Sequence, residues 1–197
     1  IKMKYINHIF SHPLTRGKNI DDPETTLLRR KIIKSKPFLK KIYLEWYSEI
    51  KKRVPQESNI IELGSGAGFF KEIIPNLMTT ELFPSPGIDK VIDAHKLSFS
   101  ANELDSIVMT DVLHHIPDVC KFFHEADRCI KYGGSIVMVE PWNNPWSKWV
   151  FQNLHHEPFD PDAGWKLKSS GPLSGANGAL PWILFERDKR ELKENLT

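Results

Sequence analysis

The chain has 197 residues, 40% of them hydrophobic and 26% charged, with a net charge of +2. That is enough for one domain with a core, too short for two ordinary ones, and too apolar for low-complexity disorder. No run approaches the ~18–20 uncharged apolar residues of a membrane-spanning helix, the opening Ile1-Lys2-Met3-Lys4 lacks a secretory leader's apolar stretch, and the only two cysteines, Cys120 and Cys129, make neither a disulfide framework nor a thiolate zinc site, so a reduced, cytoplasmic protein is expected.

Charge is unevenly spread: residues 1–56 carry +9 and residues 57–197 carry −7. In the basic part, Asp21-Asp22-Pro23-Glu24 reads as a helix start, with an N-cap carboxylate, Pro in the first turn and an acid behind it. Leu27, Leu28, Ile32 and Ile33 form its apolar stripe, and Pro37 interrupts it. A second amphipathic helix is expected from Phe38 to about Arg53, carrying Leu39, Ile42, Tyr43, Trp46 and Ile50. Arg29-Arg30-Lys31 and Lys40-Lys41 fall at helical spacing and read first as solvated faces. The alternative is an anionic partner or substrate group held by Arg16, Arg29 and Arg30.

From residue 59 short apolar runs alternate with helical patterns. Asn59–Leu63, Met78–Phe83, Lys90–Ile92, Ser106–Met109 and Ser135–Val139 read as strands, Phe69–Ile74 and Pro117–Ile130 as helical segments, and Gly133-Gly134 as a turn. Continuous apolar strands separated by helices predict an α/β, doubly wound, mainly parallel sheet covered on both faces. Beyond Glu140 lie five of the six tryptophans, a helical stretch near Asn144–Leu154, a loop at 171–181 and a charged helix over Phe185–Asn195. Only Leu180–Phe185 is a weak strand candidate there.

The chemistry centres on Glu62-Leu63-Gly64-Ser65-Gly66-Ala67-Gly68, directly after a strand and expected to open a helix. Glycines there allow a tight turn and close backbone approach to a ligand, with helix N–H groups facing it. The spacing is G-x-G-x-G, whereas a dinucleotide site has G-x-G-x-x-G, and Phe69 stands where that pattern has its third glycine. An acid at Glu62 suits a cationic ligand better than a pyrophosphate.

With these residues in view, the segment from about 57 to 141 resembles the core of the class I S-adenosylmethionine-dependent methyltransferases, and more narrowly the type 11 group of small-molecule enzymes. Glu62–Gly68 is similar to the family's first motif. Glu81 falls where the family has an acid for the ribose hydroxyls. Asp93-Ala94 with Leu97-Ser98-Phe99 resembles its D-A-x-x-L-P-F stretch, whose Asp accepts from the adenine amine. Leu104–Met109 followed by Val112–Asp118 matches its fourth-strand segment, and Ile130–Val137 the turn into its fifth strand, with Tyr132 where Pro is usual. The resemblance implies S-adenosylmethionine as cofactor, held by Glu62, Gly64, Ser65, Gly66, Gly68, Glu81, Leu82, Asp93, Ala94, Thr110 and Asp111. It also implies methyl transfer to a small or lipid-like acceptor by in-line displacement.

A general base is needed only for a nucleophile that arrives protonated; His115, ahead of His114, is the candidate. T-D-V-L-H-H after the fourth strand is not the N-P-P-Y-like motif of base or amide methylation, and no cysteine follows a proline, so no nucleic-acid partner is expected. His155-His156-Glu157 with Asp160 and Asp162 is not read as a metal site, because adjacent histidines on a helix do not converge on one ion. Residues 1–56 are expected to form a helical cover, 57–141 the cofactor-binding core, and 142–197 a substrate insertion with a terminal helix. Tyr43, Trp46, Tyr47, Trp142, Trp146, Trp149 and Trp165 are candidates for an aromatic pocket. The family normally ends with two further strands, so a chain that starts at Ile1 and stops in a charged helix is expected to be a piece lacking them. The other readings are a cofactor-binding, non-catalytic scaffold and, more remotely, a nicotinamide-dependent oxidoreductase.

Overall fold

The five predicted strands assemble side by side into one parallel sheet in the computed structural model, which describes residues 12–19, 21–55, 58–155, 157–167 and 175–196. They are β1 (Ile60–Leu63), β2 (Met78–Glu81), β3 (Lys90–Val91), β4 (Leu104–Thr110) and β5 (Ile130–Val139), in the order β3-β2-β1-β4-β5. The apolar runs of β1 and β4 are buried throughout their centres because both faces are covered. Ile60 and Val108 point to one cluster with Tyr47, Ile50, Phe70 and Leu77. Ile61, Ile107 and Met109 point to the other, with Phe122, Ala126, Leu180 and Leu184. Each fully buried aliphatic or aromatic side chain contributes roughly 1.5–3 kcal/mol.

The first face is covered by α1 (Pro23–Ser35) and α2 (Pro37–Lys51). The start of α1 is as expected: Asp22 caps it by accepting the Glu24 amide at 2.9 Å, with Pro23 in the first turn. The second face is covered by α3 (Val119–Cys129), capped by Asp118, and by the segment from Leu180 onward. A further helix, α4 (Pro145–Asn153), follows β5 and is capped by Asn144. No helix among the described residues is long and apolar enough to cross a membrane.

Three local expectations are corrected. Phe69–Ile74 forms only a 3-10 turn, Phe70–Glu72, so no full helix follows the glycine loop. Gly133-Gly134 is not a turn between helix and strand, since β5 already begins at Ile130. It lies in an irregularity of β5, where pairing passes from Leu104↔Ile130 to Ser106↔Ser135 while β5 advances five residues for two of β4. Leu180–Phe185 is not extended: a helical turn, Leu180–Trp182, runs into a π-helical segment, Ile183–Arg187, and then α5 (Lys189–Asn195). Leu180, Ile183 and Leu184 are fully buried, so helical spacing presents to the core the residues that alternation would have divided between two faces.

Candidate functional site

In this strand order the chain reverses direction beside β1, and β1, β2 and β4 all end on the same edge. Open parallel sheets bind ligands at such a switch point, outside the carboxyl ends of the strands. A cavity of about 510 Å³ lies there. Its wall includes Glu62, Gly64, Ser65, Gly66, Gly68, Glu81, Leu82, Asp93, Ala94, Thr110, Asp111, His114 and His115. Residues spread over some fifty positions of sequence thus converge on one space.

The glycine loop is held tightly. Gly64 has φ +62°, and a Cβ on it would lie 2.7 Å from Val112 Cγ2. A Cβ on Gly68 would lie 2.7 Å from Tyr47 Oη and 2.9 Å from the Ser65 carbonyl oxygen. The Tyr47 hydroxyl accepts from the Phe69 amide at 3.0 Å. Arg30 donates to the Gly66 carbonyl at 2.7 Å; it is therefore a brace for the loop and not the solvated helix charge that its spacing suggested. Arg29 lines the cavity, while Lys31, Lys40 and Lys41 are exposed.

Two acids flank this loop. Glu62 is 2% exposed. Burial pushes its carboxyl up to about 7, with Glu81 adding to the rise and Ser65 and Arg30 opposing it. Glu81 Oε1 accepts from the Gly66 amide at 2.7 Å and Oε2 from the Leu82 amide at 3.1 Å. Burial raises the Glu81 carboxyl as well, against those two bonds and Arg30. Asp93 forms an Asx turn, its Oδ1 accepting from the His95 amide at 2.8 Å, while the residue also faces the cavity. The hydroxyls of Thr26 and Thr110 are buried with no protein hydrogen-bond partner, although both residues line the cavity. An unsatisfied buried hydroxyl costs about 1–3 kcal/mol, so these two point to a polar ligand. Hydroxyl-accepting acids, a close-approach loop and orphaned hydroxyls suit a ligand with sugar hydroxyls and a positive charge.

The far end of the cavity is built after β4. Asp111 stands at φ +56°, a strained position for a residue with a side chain, and turns the chain into the 3-10 segment Leu113–His115. Glu140, at the end of the neighbouring β5, caps that segment: its Oε1 accepts from the Val112 and Leu113 amides at 2.8 and 2.7 Å. Its Oε2 lies 2.7 Å from His114 Nδ1. On the other side of the ring, His114 Nε2 lies 3.4 Å from Glu157 Oε2, and His115 Nε2 lies 3.6 Å from Glu157 Oε1. His115 Nδ1 is 3.3 Å from the Gly175 carbonyl oxygen. Burial disfavours a charged His114, but the flanking carboxylates outweigh it and raise the ring's affinity for a proton. For His115 burial wins, helped by charge on His114, and the ring is pulled down to about 4. Asp111 is pushed up to about 7 by burial and by Glu140.

Sequence reasoning did not find Glu140, Glu157, Phe151 or His155 as parts of this site. All but Glu140 line the cavity, and Glu140 acts through His114. Glu140 had a signal, an acid directly after the last apolar strand and beside the end of β4; Glu157 had only its place next to His155-His156 in an acid-rich stretch. Of the metal reading considered for His155–Glu157, His156 lies outside the described residues. Glu157 converges instead with His114 and His115. The aromatic pocket is smaller than expected. Tyr43 and Tyr47 line the cavity, but Trp146 and Trp149 stack on each other at the surface, 70% and 49% exposed, and Trp142 is exposed too. Trp46 does not line it, and Trp165 packs against the core and donates to Asp188 at 2.8 Å.

A family model described as a methyltransferase domain matches residues 37–169. Among solved structures, an S-adenosylmethionine-dependent methyltransferase of Thermotoga maritima superposes with a TM-score of 0.54 at 16% identity, covering 98% of this chain and 80% of that one. A protein of Methanococcus maripaludis described as a methyltransferase of the same cofactor class gives a TM-score of 0.51 at 16% identity, covering 92% and 80%. The match to a Mesorhizobium loti methyltransferase has a TM-score of 0.40 at 21% identity and covers 48% of this chain; the chain thus spans 52%, about half, of that one. No curated protein matches the sequence.

Proposed function

Because the chain belongs to the class I S-adenosylmethionine-dependent methyltransferases, its methyltransferase domain running over residues 37–169, we propose that it binds S-adenosylmethionine in this cavity and transfers the methyl group to a small-molecule acceptor at the histidine end. The observation that carries the proposal is the convergence on one cavity of the glycine loop, Glu62, Glu81, Asp93 and the unpartnered Thr110 hydroxyl.

The cofactor supplies a methyl carbon already activated by a positive sulfur, so the protein's work is positioning and water exclusion. Glu81 takes the ribose hydroxyls, Asp93 the adenine amine, and Glu62 with Asp111 provides the negative field for the cationic amino acid end. Leu82, Ala94 and the glycine loop with Ser65 complete the walls. The acceptor lies against Tyr43 and Phe151, which give this end apolar walls. That supports a substrate-covering role for residues 1–56 and 142–197 around a core of 57–141. For an acceptor that arrives protonated, His115 is the group able to take the proton, because its ring is held neutral while His114 is clamped between carboxylates.

Calorimetric titration tests the cofactor assignment: S-adenosylhomocysteine and S-adenosylmethionine bind with one site per chain and NAD does not. Catalysis is tested by S-adenosylhomocysteine release over a panel of phenol, amine, carboxylate and thiol acceptors. Cofactor binding with no turnover across the panel would favour a non-catalytic scaffold instead.

A further inference from the structure

We infer that the turn after β4 and the loop after α4 form a binding site for one divalent transition-metal cation, with His114 Nε2, His115 Nε2 and a carboxylate oxygen of Glu157 as its ligands. Three donors, two imidazoles and one carboxylate, lie within 4.8 Å of one another. They come from separate parts of the chain and meet at the acceptor end of the cavity.

The spacing separates this arrangement from an ordinary ion pair. A charge-assisted N–H···O bond closes to about 2.7–2.9 Å, and His114 Nδ1 does so with Glu140 at 2.7 Å. The other side of the same ring stops at 3.4 Å from Glu157, and His115 stops at 3.6 Å. With metal–ligand distances of about 2.0–2.2 Å, ligand atoms on a tetrahedral ion stand about 3.3–3.5 Å apart. Glu157 stands close to that spacing, 3.4 Å from one ring through Oε2 and 3.6 Å from the other through Oε1.

The supporting contacts fix both tautomers. A metal-binding histidine offers one nitrogen to the ion and donates the other N–H to a carboxylate or carbonyl, which sets the ring's orientation. His114 gives Nδ1 to Glu140, and His115 gives Nδ1 to the Gly175 carbonyl. Both therefore direct Nε2 toward Glu157. The objection to adjacent histidines on an α-helix does not apply, because these sit in a 3-10 turn entered through the strained Asp111, with rings 4.2 Å apart.

Charge points the same way. Asp111, Glu140 and Glu157 bring three carboxyl groups to one buried corner, where a metal cation can take over the place of the proton that Glu140 and Glu157 favour on His114. An N2O donor set suits zinc, cobalt, nickel or iron(II) more than magnesium or calcium, and three protein ligands leave coordination positions open to the cavity. With the cation present, His115 is a ligand and not a proton acceptor, and an acceptor hydroxyl on the ion loses its proton more readily. The inference goes beyond the proposed methyl transfer, since cation binding is read without turnover.

The test is titration of cobalt(II) chloride into chelator-treated protein, followed by visible ligand-field absorption and by calorimetry, with melting temperature confirming that each variant folds. One cobalt ion per chain is expected. His115→Gln and Glu157→Gln should each weaken binding by at least the roughly 10–100-fold that loss of a supporting partner alone costs, and His124→Gln, on the exposed side of α3, should leave it unchanged. Absence of stoichiometric uptake by the unaltered protein would overturn the inference, as would uptake indifferent to both substitutions. A separate S-adenosylhomocysteine titration of the same samples keeps the two readings apart: the cation site stands or falls on cobalt, the cofactor assignment on the nucleoside.

Discussion

Glu81, the last residue of β2, accepts a hydrogen bond from the Gly66 amide at 2.7 Å, so the acid assigned to the ribose hydroxyls is also a tie holding the loop that follows β1. Glu81→Ala removes both the tie and the acceptor. Hydrogen bonds to charged groups are worth about 1.5–3 kcal/mol, so S-adenosylhomocysteine should bind roughly 10–100-fold more weakly by calorimetry. Glu81→Gln keeps one acceptor oxygen and should fall between. An unchanged dissociation constant for the alanine variant would remove Glu81 from the cofactor site.

Gly68 has the least room of the loop glycines on its backbone side. In Gly68→Ala the new methyl meets Tyr47 Oη at 2.7 Å and the Ser65 carbonyl at 2.9 Å. Overpacking of this kind costs about 1–3 kcal/mol, read as a lowered urea midpoint. Tyr47→Phe leaves the Phe69 amide without its acceptor and should cost a similar amount. Because the two changes share one contact, the double variant should lose less than the sum. Strict additivity would show that the Tyr47 hydroxyl does not press on Gly68.

The parallel sheet and the glycine loop were legible because short-range pattern dictates them: short runs rich in Ile, Leu, Val and Met within Ile60–Leu63 and Leu104–Thr110, and an acid two residues before the first glycine. The capped start at Asp22-Pro23 was legible for the same reason. The Glu140–His114–Glu157 array was not, since it joins residues 26 and 43 positions apart through a turn whose shape depends on the strained backbone of Asp111. Leu180–Phe185 was misjudged because a run of six apolar and aromatic residues suits a buried strand and a buried helix equally. Only packing of Leu180 and Leu184 against Phe122 and Leu113 decides between them. The surface stack of Trp146 on Trp149 shows that aromatic content alone does not locate a pocket.

Arg30 and Lys31 are neighbours on α1 with different surroundings, and this gives a test of the basic segment. Arg30 reaches across 36 residues to the Gly66 carbonyl at 2.7 Å, whereas Lys31 is exposed. Arg30→Met should therefore loosen the loop by about 1–2 kcal/mol, speed hydrogen exchange at the amides of residues 64–68 and weaken S-adenosylhomocysteine binding several-fold. Lys31→Ala should change neither measurement. Equal effects from the two substitutions would return Arg30 to the status of a surface charge.

Glu62 gives the protein a pH dependence whose sign follows from its burial. Its carboxyl moves from an ordinary 4.5 in the unfolded chain to about 7 in the folded one, so the folded state holds the proton more tightly. The stabilisation is fully present below pH 4.5 and is lost as the pH rises through 7. At 1.36 kcal/mol per unit, the loss is on the order of 3 kcal/mol. Glu49 and Asp89, pulled down to about 2 by Lys52 and Lys71 respectively, act in the opposite sense but below pH 4.5, outside this window. Comparison of Glu62→Gln with the unaltered protein cancels their contribution and that of Asp111. Urea unfolding should find the variant's relative stability greater at pH 8 than at pH 5 by about 2–3 kcal/mol. A cationic ligand beside Glu62 favours its charged form, so S-adenosylmethionine should bind more tightly at pH 8 than at pH 5.5 and release protons from this group as it does. If the stability difference between the two proteins were the same at both pH values, Glu62 would not be a carboxyl held protonated by burial, and the tighter cofactor binding expected at pH 8 could not be assigned to it.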